Sequence, residues 1–178
     1  ATIPRPGEEP IIGVIDTMFD TGAYFSDWVE FKREISDEIE LESKDFDHGT
    51  AVSSIIVDGP TINPDLDDGC GRFRVRHFGV MKHGPYSSFS VMKSIQDIID
   101  QNPDIRVWNL SLGSGREVNE NFISPEAAIL DQIQSEKEVI FIIAGTNKQS
   151  NDPKKEERIG SPADSINAIV VNSVNKAG

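Results

Sequence analysis

A chain of 178 residues with 37% hydrophobic and 26% charged residues is long enough for one globular domain with a sizeable core. Its net charge of −13 argues against a nucleic-acid or anionic-membrane partner, since both select basic patches. The lone Cys70 excludes an intrachain disulfide, is expected as a buried inert thiol, and leaves the redox compartment open. No apolar run has the length of a membrane span. The chain opens on Ala without a charged-then-apolar leader, so both ends are expected to be cut from something longer. Localisation, secreted or cytoplasmic, stays open.

The first element is the apolar run Ile11-Ile12-Gly13-Val14-Ile15, ended by Asp16, which suits a strand buried on both faces of a parallel sheet. Residues 21–47 are mixed and acidic, and are expected to form a loop-rich insert with short elements. Asp47-His48-Gly49-Thr50 reads as a helix start, with Ala51, Val52, Ile55 and Ile56 at helical spacing and Gly59-Pro60 as the stop. A second strand is expected over 72–80. The next helix starts at Ser87 or Ser88, turns Phe89, Met92, Ile95, Ile98 and Ile99 inward, and ends at Asn102-Pro103.

A third strand is expected over 105–112. Ser124-Pro125-Glu126 combines a cap, a first-turn proline and an acid at the positive end of the helix dipole. Ala128, Ile129 and Ile133 are expected to carry that helix inward. Strands over 139–144 and 167–174 follow, separated by a hydrophilic loop. Alternating strands and helices predict an α/β fold, a three-layer doubly wound parallel sheet with helices on both faces. Residues 1–178 are expected as a single unit. Asp16, Ser111 and Gly145 fall at the carboxyl ends of strands, where such folds hold their sites.

Asp16 on a rigid strand is suited to orient a histidine, and His48 follows 32 positions later at a helix start. A strand ending in acid is common in doubly wound folds, and a lone helix-start histidine is ordinary too; their joint occurrence is not. Two segments follow in order: Asn109-Leu110-Ser111-Leu112-Gly113 and Ile142-Ile143-Ala144-Gly145-Thr146-Asn147. Together these segments resemble the subtilisin-like serine peptidase family, from about Ile11 to Val174. The resemblance implies Asp16 and His48 as the acid and base of an Asp-His-Ser triad, with Ser111 and Gly113 lining a cleft that pairs with an extended peptide or protein substrate. Gly160, in Ile159-Gly160-Ser161-Pro162-Ala163, would floor the main specificity pocket.

Two departures stand out. Where the family usually has Ala-Gly-Asn with the amide facing the oxyanion, this chain has Thr146 followed by Asn147; either could donate, with Asn147 preferred for its reach. Asp16-Thr17-Met18-Phe19 replaces the usual Asp-Ser/Thr-Gly, so a differently built turn is expected. No Gly-Thr-Ser segment at a helix start is present, and Ser161 and Ser173 lack that context. The chain is therefore expected to be about the first two thirds of a peptidase domain, inactive alone. A pseudopeptidase that grips peptides without cutting them is the alternative.

Asn63-Pro64-Asp65-Leu66-Asp67-Asp68-Gly69 looks like half of a calcium loop, with Asp65, Asp67 and Asp68 as ligand candidates. Its glycine comes one position late and no Glu closes the frame, so a solvated turn is the expectation. His77 and His83 are expected in surface or partly buried structural roles, and Trp28 and Trp108 in packing.

Overall fold

The computed structural model describes residues 3–84, 87–113, 118–145 and 159–172. In chain order the regular elements are β1 (Ile11–Asp16), β2 (Val29–Arg33), α1 (Lys44–Ile62), β3 (Arg74–Gly79), α2 (Ser88–Gln101), β4 (Val107–Leu110), α3 (Pro125–Lys137), β5 (Ile140–Ala144) and β6 (Ile169–Val171). Two compact units divide the chain, Ala1–Ile98 and Ile99–Gly178. Every strand pair described below is parallel, as an α/β chain with helical crossovers requires.

In the first unit β3 is central, pairing with β1 (Val14 opposite His77, Asp16 opposite Gly79) and with β2 (Phe31 opposite His77). Helix α1 connects β2 to β3 and packs on β1 and β3. The core is Val14, Phe19, Phe25, Trp28, Val57 and Val75, with the Phe19 ring edge-on to Phe25 at 5.7 Å between centroids. Each large apolar side chain sealed there contributes about 1.5–3 kcal/mol.

Strand β2 lies in the stretch 21–47, after a one-turn 3-10 helix at Ser26–Trp28. Its residues alternate between half-buried and exposed, as period-two strands with one covered face do. Glu30 and Arg76, paired across β2 and β3, form an ion pair at 2.7 Å. The Val-Glu-Phe-Lys-Arg alternation was visible in the sequence, but the surrounding acid content concealed it.

Helix α1 begins at Lys44, so His48 sits in its second turn rather than at its mouth. Its buried stripe is Asp45, Gly49, Ser53 and Val57, while Ala51 and Ile55 face solvent. That stripe is mostly polar or small, which is why apolar spacing selected the wrong face. The regular helix breaks directly before Gly59-Pro60, as expected, and a short further segment runs on to Ile62. Asp58 leaves helical geometry (φ −141°) and its carboxylate accepts from Thr61 Oγ1 at 2.8 Å, restarting a short segment with Pro60 in its first turn.

Helix α2 stops at Gln101 before Asn102-Pro103 and buries Val91, Met92, Ile95, Ile98 and Ile99. Phe89 is 81% exposed, one position out of phase with that face.

In the second unit β5 is central, pairing with β4 (Trp108 opposite Phe141) and β6 (Ile143 opposite Val170). Helix α3 packs on β5. Ser124 caps α3 by accepting from Ala127 N at 3.2 Å, and Pro125 opens the first turn as expected. The buried side of α3 is Ala127, Leu130, Ile133 and Gln134; Ala128 and Ile129 point outward. Gln134 explains the phase error, because its amide oxygen accepts from Phe141 N at 2.9 Å and it is recruited inward by hydrogen bonding. Trp28 and Trp108 are both buried. Among the described residues no helix is long and apolar enough to cross a membrane.

Candidate active site

Four of the six residues of β1, Gly13 to Asp16, are buried, and the strand delivers Asp16 with only 1% of its surface exposed. A buried carboxylate must be hydrogen-bonded to remain ionised. Thr17 supplies two donors, its N–H at 2.6 Å and its hydroxyl at 3.1 Å, both to Asp16 Oδ1. His48 supplies the third group: its Nδ1 lies 2.8 Å from Oδ1 and 3.0 Å from Oδ2. An ionised carboxylate only accepts, so Nδ1 carries the proton and the neutral ring keeps its lone pair on Nε2.

The turn after β1 is clamped to α1 at three points. Gly49 N donates to Thr17 Oγ1 (3.0 Å), Met18 N to the Asp45 carbonyl (2.9 Å), and Asp20 N to Thr50 Oγ1 (2.8 Å). The start of α1 is held in turn by the Asp45 carboxylate, which accepts from Glu42 N (2.8 Å) and His83 N (2.7 Å). Gly49 is required by proximity. A Cβ there would stand 2.5 Å from the Met18 carbonyl oxygen, 2.9 Å from that of Thr17 and 2.8 Å from His77 Cε1. Met18 and Phe19 are at most 1% exposed, so the apolar residues that replace the usual glycine serve as core anchors for the turn.

The hydrogen bond to Asp16 raises the His48 imidazole above its ordinary value of 6.5; partial burial opposes this and the carboxylate charge reinforces it. The His48 side chain is 60% exposed, against 1% for its partner. The pair is thus a sealed acid holding an accessible base. An open pocket of about 590 Å³ lies along α1, lined by residues including Asp20, Phe46, Asp47, Thr50 and Ala51, and His48 is not among them.

His77 is fully buried on β3, deeper than the sequence reading expected. Burial holds its ring below the ordinary value, with the hydrogen bond to the Thr17 carbonyl and the Asp16 charge opposing. The available signal was a strand histidine two residues after Val75 and directly before Phe78. His83 is exposed.

In the second unit, Ser111 and Gly113 follow directly on β4, and both are half-buried. Ser111 Oγ accepts from Asn109 Nδ2 at 3.0 Å. Gly160 N donates to the Gly145 carbonyl at 3.0 Å, which brings the Ile159–Ala163 segment to the end of β5. Thr146 and Asn147 lie outside the described residues. Ser161 is buried, its hydroxyl 3.0 Å from that of Ser124, in a network at the start of α3.

Asp65 lies within a one-turn 3-10 helix at Pro64–Leu66, and Asp67 and Asp68 follow it. Asp67 and Asp68 turn their carboxylates onto the N–H groups of Gly69 (3.0 Å) and Cys70 (2.9 Å). Among the described residues no three His, Cys, Asp or Glu side chains gather where they could share a metal ion. Cys70 is exposed, contrary to the expected buried thiol, because it lies in this solvated turn.

Solved structures with the same fold include the prenylagaramide maturation protease PagA, 18% identical with a TM-score of 0.63 over 95% of this chain and 55% of that one. A mutant of the protease domain of PatA gives 12% and 0.65 over 95% and 59%, and the PatG macrocyclase in complex with peptide gives 12% and 0.57 over 95% and 58%. At such identities the likeness concerns the fold, and the chain spans less than two thirds of each of these structures. No curated protein matches the sequence. The family model described as "Subtilase family" matches residues 7–178, so the chain belongs to the subtilases.

Proposed function

We propose that these residues carry the acid and the base of a serine endopeptidase, with the serine nucleophile contributed by a further segment of a longer protein. The observation that carries this reading is the Asp16–His48 pair, a buried carboxylate 2.8 Å from the Nδ1 of an accessible imidazole whose Nε2 is left as the proton acceptor. Family membership and the absence of a Gly-Thr-Ser segment from the sequence support it.

In this reading His48 Nε2 removes the hydroxyl proton of the serine as its oxygen attacks the scissile carbonyl. Asp16 stays ionised, holds the ring's tautomer and stabilises the imidazolium. The imidazolium then protonates the departing amine, and a water attacking the acyl-enzyme repeats the cycle with His48 as base. Thr146 or Asn147 would donate to the oxyanion, a contribution of about 10²–10³ in turnover. Ser111, Gly113 and Gly160 would line the path of an extended peptide, read mainly through its main chain. The similar PatG macrocyclase, solved with a peptide, is consistent with that substrate class.

Without the serine, turnover falls by about 2 × 10⁶ in subtilisin, so the 178-residue chain should be inert. Fluorophosphonate labelling tests this. The chain alone should not label, and the longer protein should label at one serine outside it. Labelling of a serine within residues 1–178 would overturn the reading. A longer protein that binds peptides but never labels would instead be a pseudopeptidase.

A further inference from the structure

His77 meets the residues that follow each half of the acid–base pair, Thr17 after Asp16 and Gly49 after His48, without belonging to it. Its Nε2 lies 2.8 Å from the Thr17 carbonyl, and its Nδ1 lies 2.9 Å from Ser53 Oγ. A carbonyl only accepts, so Nε2 carries the proton, and Nδ1 must then accept from the Ser53 hydroxyl. One neutral tautomer satisfies both partners.

The first of these bonds fixes the peptide between Thr17 and Met18. Thr17 is the residue whose N–H and hydroxyl hold Asp16 Oδ1. The ring's other edge abuts the helix. Its Cε1 is among the atoms that would crowd a Cβ on Gly49, the residue after His48. The spacing between the Asp16 turn and the His48 turn of α1 is therefore set in part by the thickness of this ring. Phe19 and Phe31 flank it, each with centroids 5.7 Å away, and Asp16 is the charge that acts on it.

We propose that His77 is a positioning residue, a neutral buried imidazole strung between Ser53 and Thr17 that keeps Asp16 and His48 at bonding distance. A chain of hydrogen bonds then runs Ser53 to His77 to Thr17 to Asp16 to His48, linking the third turn of α1 back to its second through the end of β1. An aliphatic side chain in the same place would fill the volume and leave the Thr17 carbonyl and Ser53 hydroxyl buried without this partner. The catalytic consequence rests on the proposed endopeptidase reading; the positioning itself does not.

Nitrogen-15 NMR of the 178-residue chain tests it. The His77 ring should show a protonated Nε2 and a bare Nδ1, and should titrate below an ordinary imidazole. An Nδ1–H tautomer, or titration at or above the ordinary value, overturns the proposal. His77→Phe, which keeps the ring and loses both nitrogens, should move the His48 titration toward the ordinary value and weaken its downfield Nδ1–H resonance. His77→Gln, whose amide can still donate to Thr17, should restore much of both. His48 titrating identically in wild type and His77→Phe overturns the proposal. Should His77→Phe fail to fold, Ser53→Ala reads the same titration, and an unchanged His48 curve there overturns it as well.

In the longer protein, His77→Phe should lower kcat about 10- to 100-fold with little change in KM, as a small misplacement of reacting groups does. An unchanged kcat in an active enzyme overturns the catalytic consequence. A longer protein that proves inert while the NMR results hold removes the endopeptidase reading and leaves the positioning role standing.

Discussion

The end of β1 and the end of β5 start from similar material, an apolar parallel strand running into a turn, and finish differently. After β1 the turn is closed by atoms that cannot yield: the carbonyls of Thr17 and Met18 and the ring of His77 all crowd Gly49. After β5 the atoms nearest a Cβ on Gly145 belong to the amide of Asn172, an exposed side chain whose tip can swing aside. The neighbouring strand β6 exposes all three of its residues, and Ile166 before it is 81% exposed. The difference is one of preorganisation. Proton transfer depends on angstrom-level placement, and the residues proposed for it lie where packing and hydrogen bonding together over-determine position.

The strongest way to break this comparison is to remove the carboxylate. In the longer protein Asp16→Asn should reduce kcat by about 10⁴-fold while the protein stays folded, because the amide favours the wrong His48 tautomer. Peptidase kinetics alongside circular dichroism check it, and retention of near-normal turnover would remove Asp16 from the mechanism.

Next in size, Gly49→Ala should cost about 3 kcal/mol in urea denaturation, since a methyl pressed against two backbone carbonyls must displace the turn. Ser124→Ala in the second unit should cost about 1 kcal/mol by the same measurement, the usual loss for an N-cap. Gly145→Ala should cost less than about 1 kcal/mol, because Asn172 can rotate away and the unfolded chain loses some freedom. Equal costs at Gly49 and Gly145 would erase the contrast between the two turns.

The smallest effect is in pH dependence, where the two histidines act with opposite sign. His48 has a raised folded-state value, so its contribution to stability is complete below the unfolded imidazole's value and is lost as pH rises through the folded one. His77 has a lowered folded-state value, so its contribution is complete above the unfolded value and is lost as pH falls toward the folded one. Denaturation curves across this window should lose their alkaline-side decline in His48→Ala and keep their acid-side decline. The same endopeptidase reading places the acidic limb of the rate profile above 6.5, since only neutral His48 can act as base.

Much of this was legible in linear order. Apolar runs ended by Asp16 and by Ala144-Gly145 identified two strands of the parallel sheet; the first is buried from Gly13 to Asp16, whereas the second, expected to be buried, alternates buried Phe141 and Ile143 with exposed Ile140 and half-buried Ile142 and Ala144. Ser124-Pro125-Glu126 marked α3 through local capping chemistry, which needs only neighbouring residues. The acid and the histidine could be paired because their flanking segments resemble one family's motifs. Helix phase was less legible. Gly49 and Ser53 on α1, and Gln134 on α3, face inward for close approach or hydrogen bonding, and apolar spacing has no means of finding them. Strand β2 was hidden for a related reason: its exposed Glu30 is matched by Arg76, a partner 46 residues away.

By itself, then, the sequence determined the alternation of strands and helices, the family, and the two residues to test as acid and base, all of which follow from local composition and contiguous motifs. Only the tertiary structure decided that His77 is sealed between Ser53 and Thr17, and that Met18 and Phe19 anchor the turn as core residues. Those outcomes depend on which atoms meet across β1, β3 and α1. Burial and hydrogen-bond partners are properties of that meeting, and no single segment carries them.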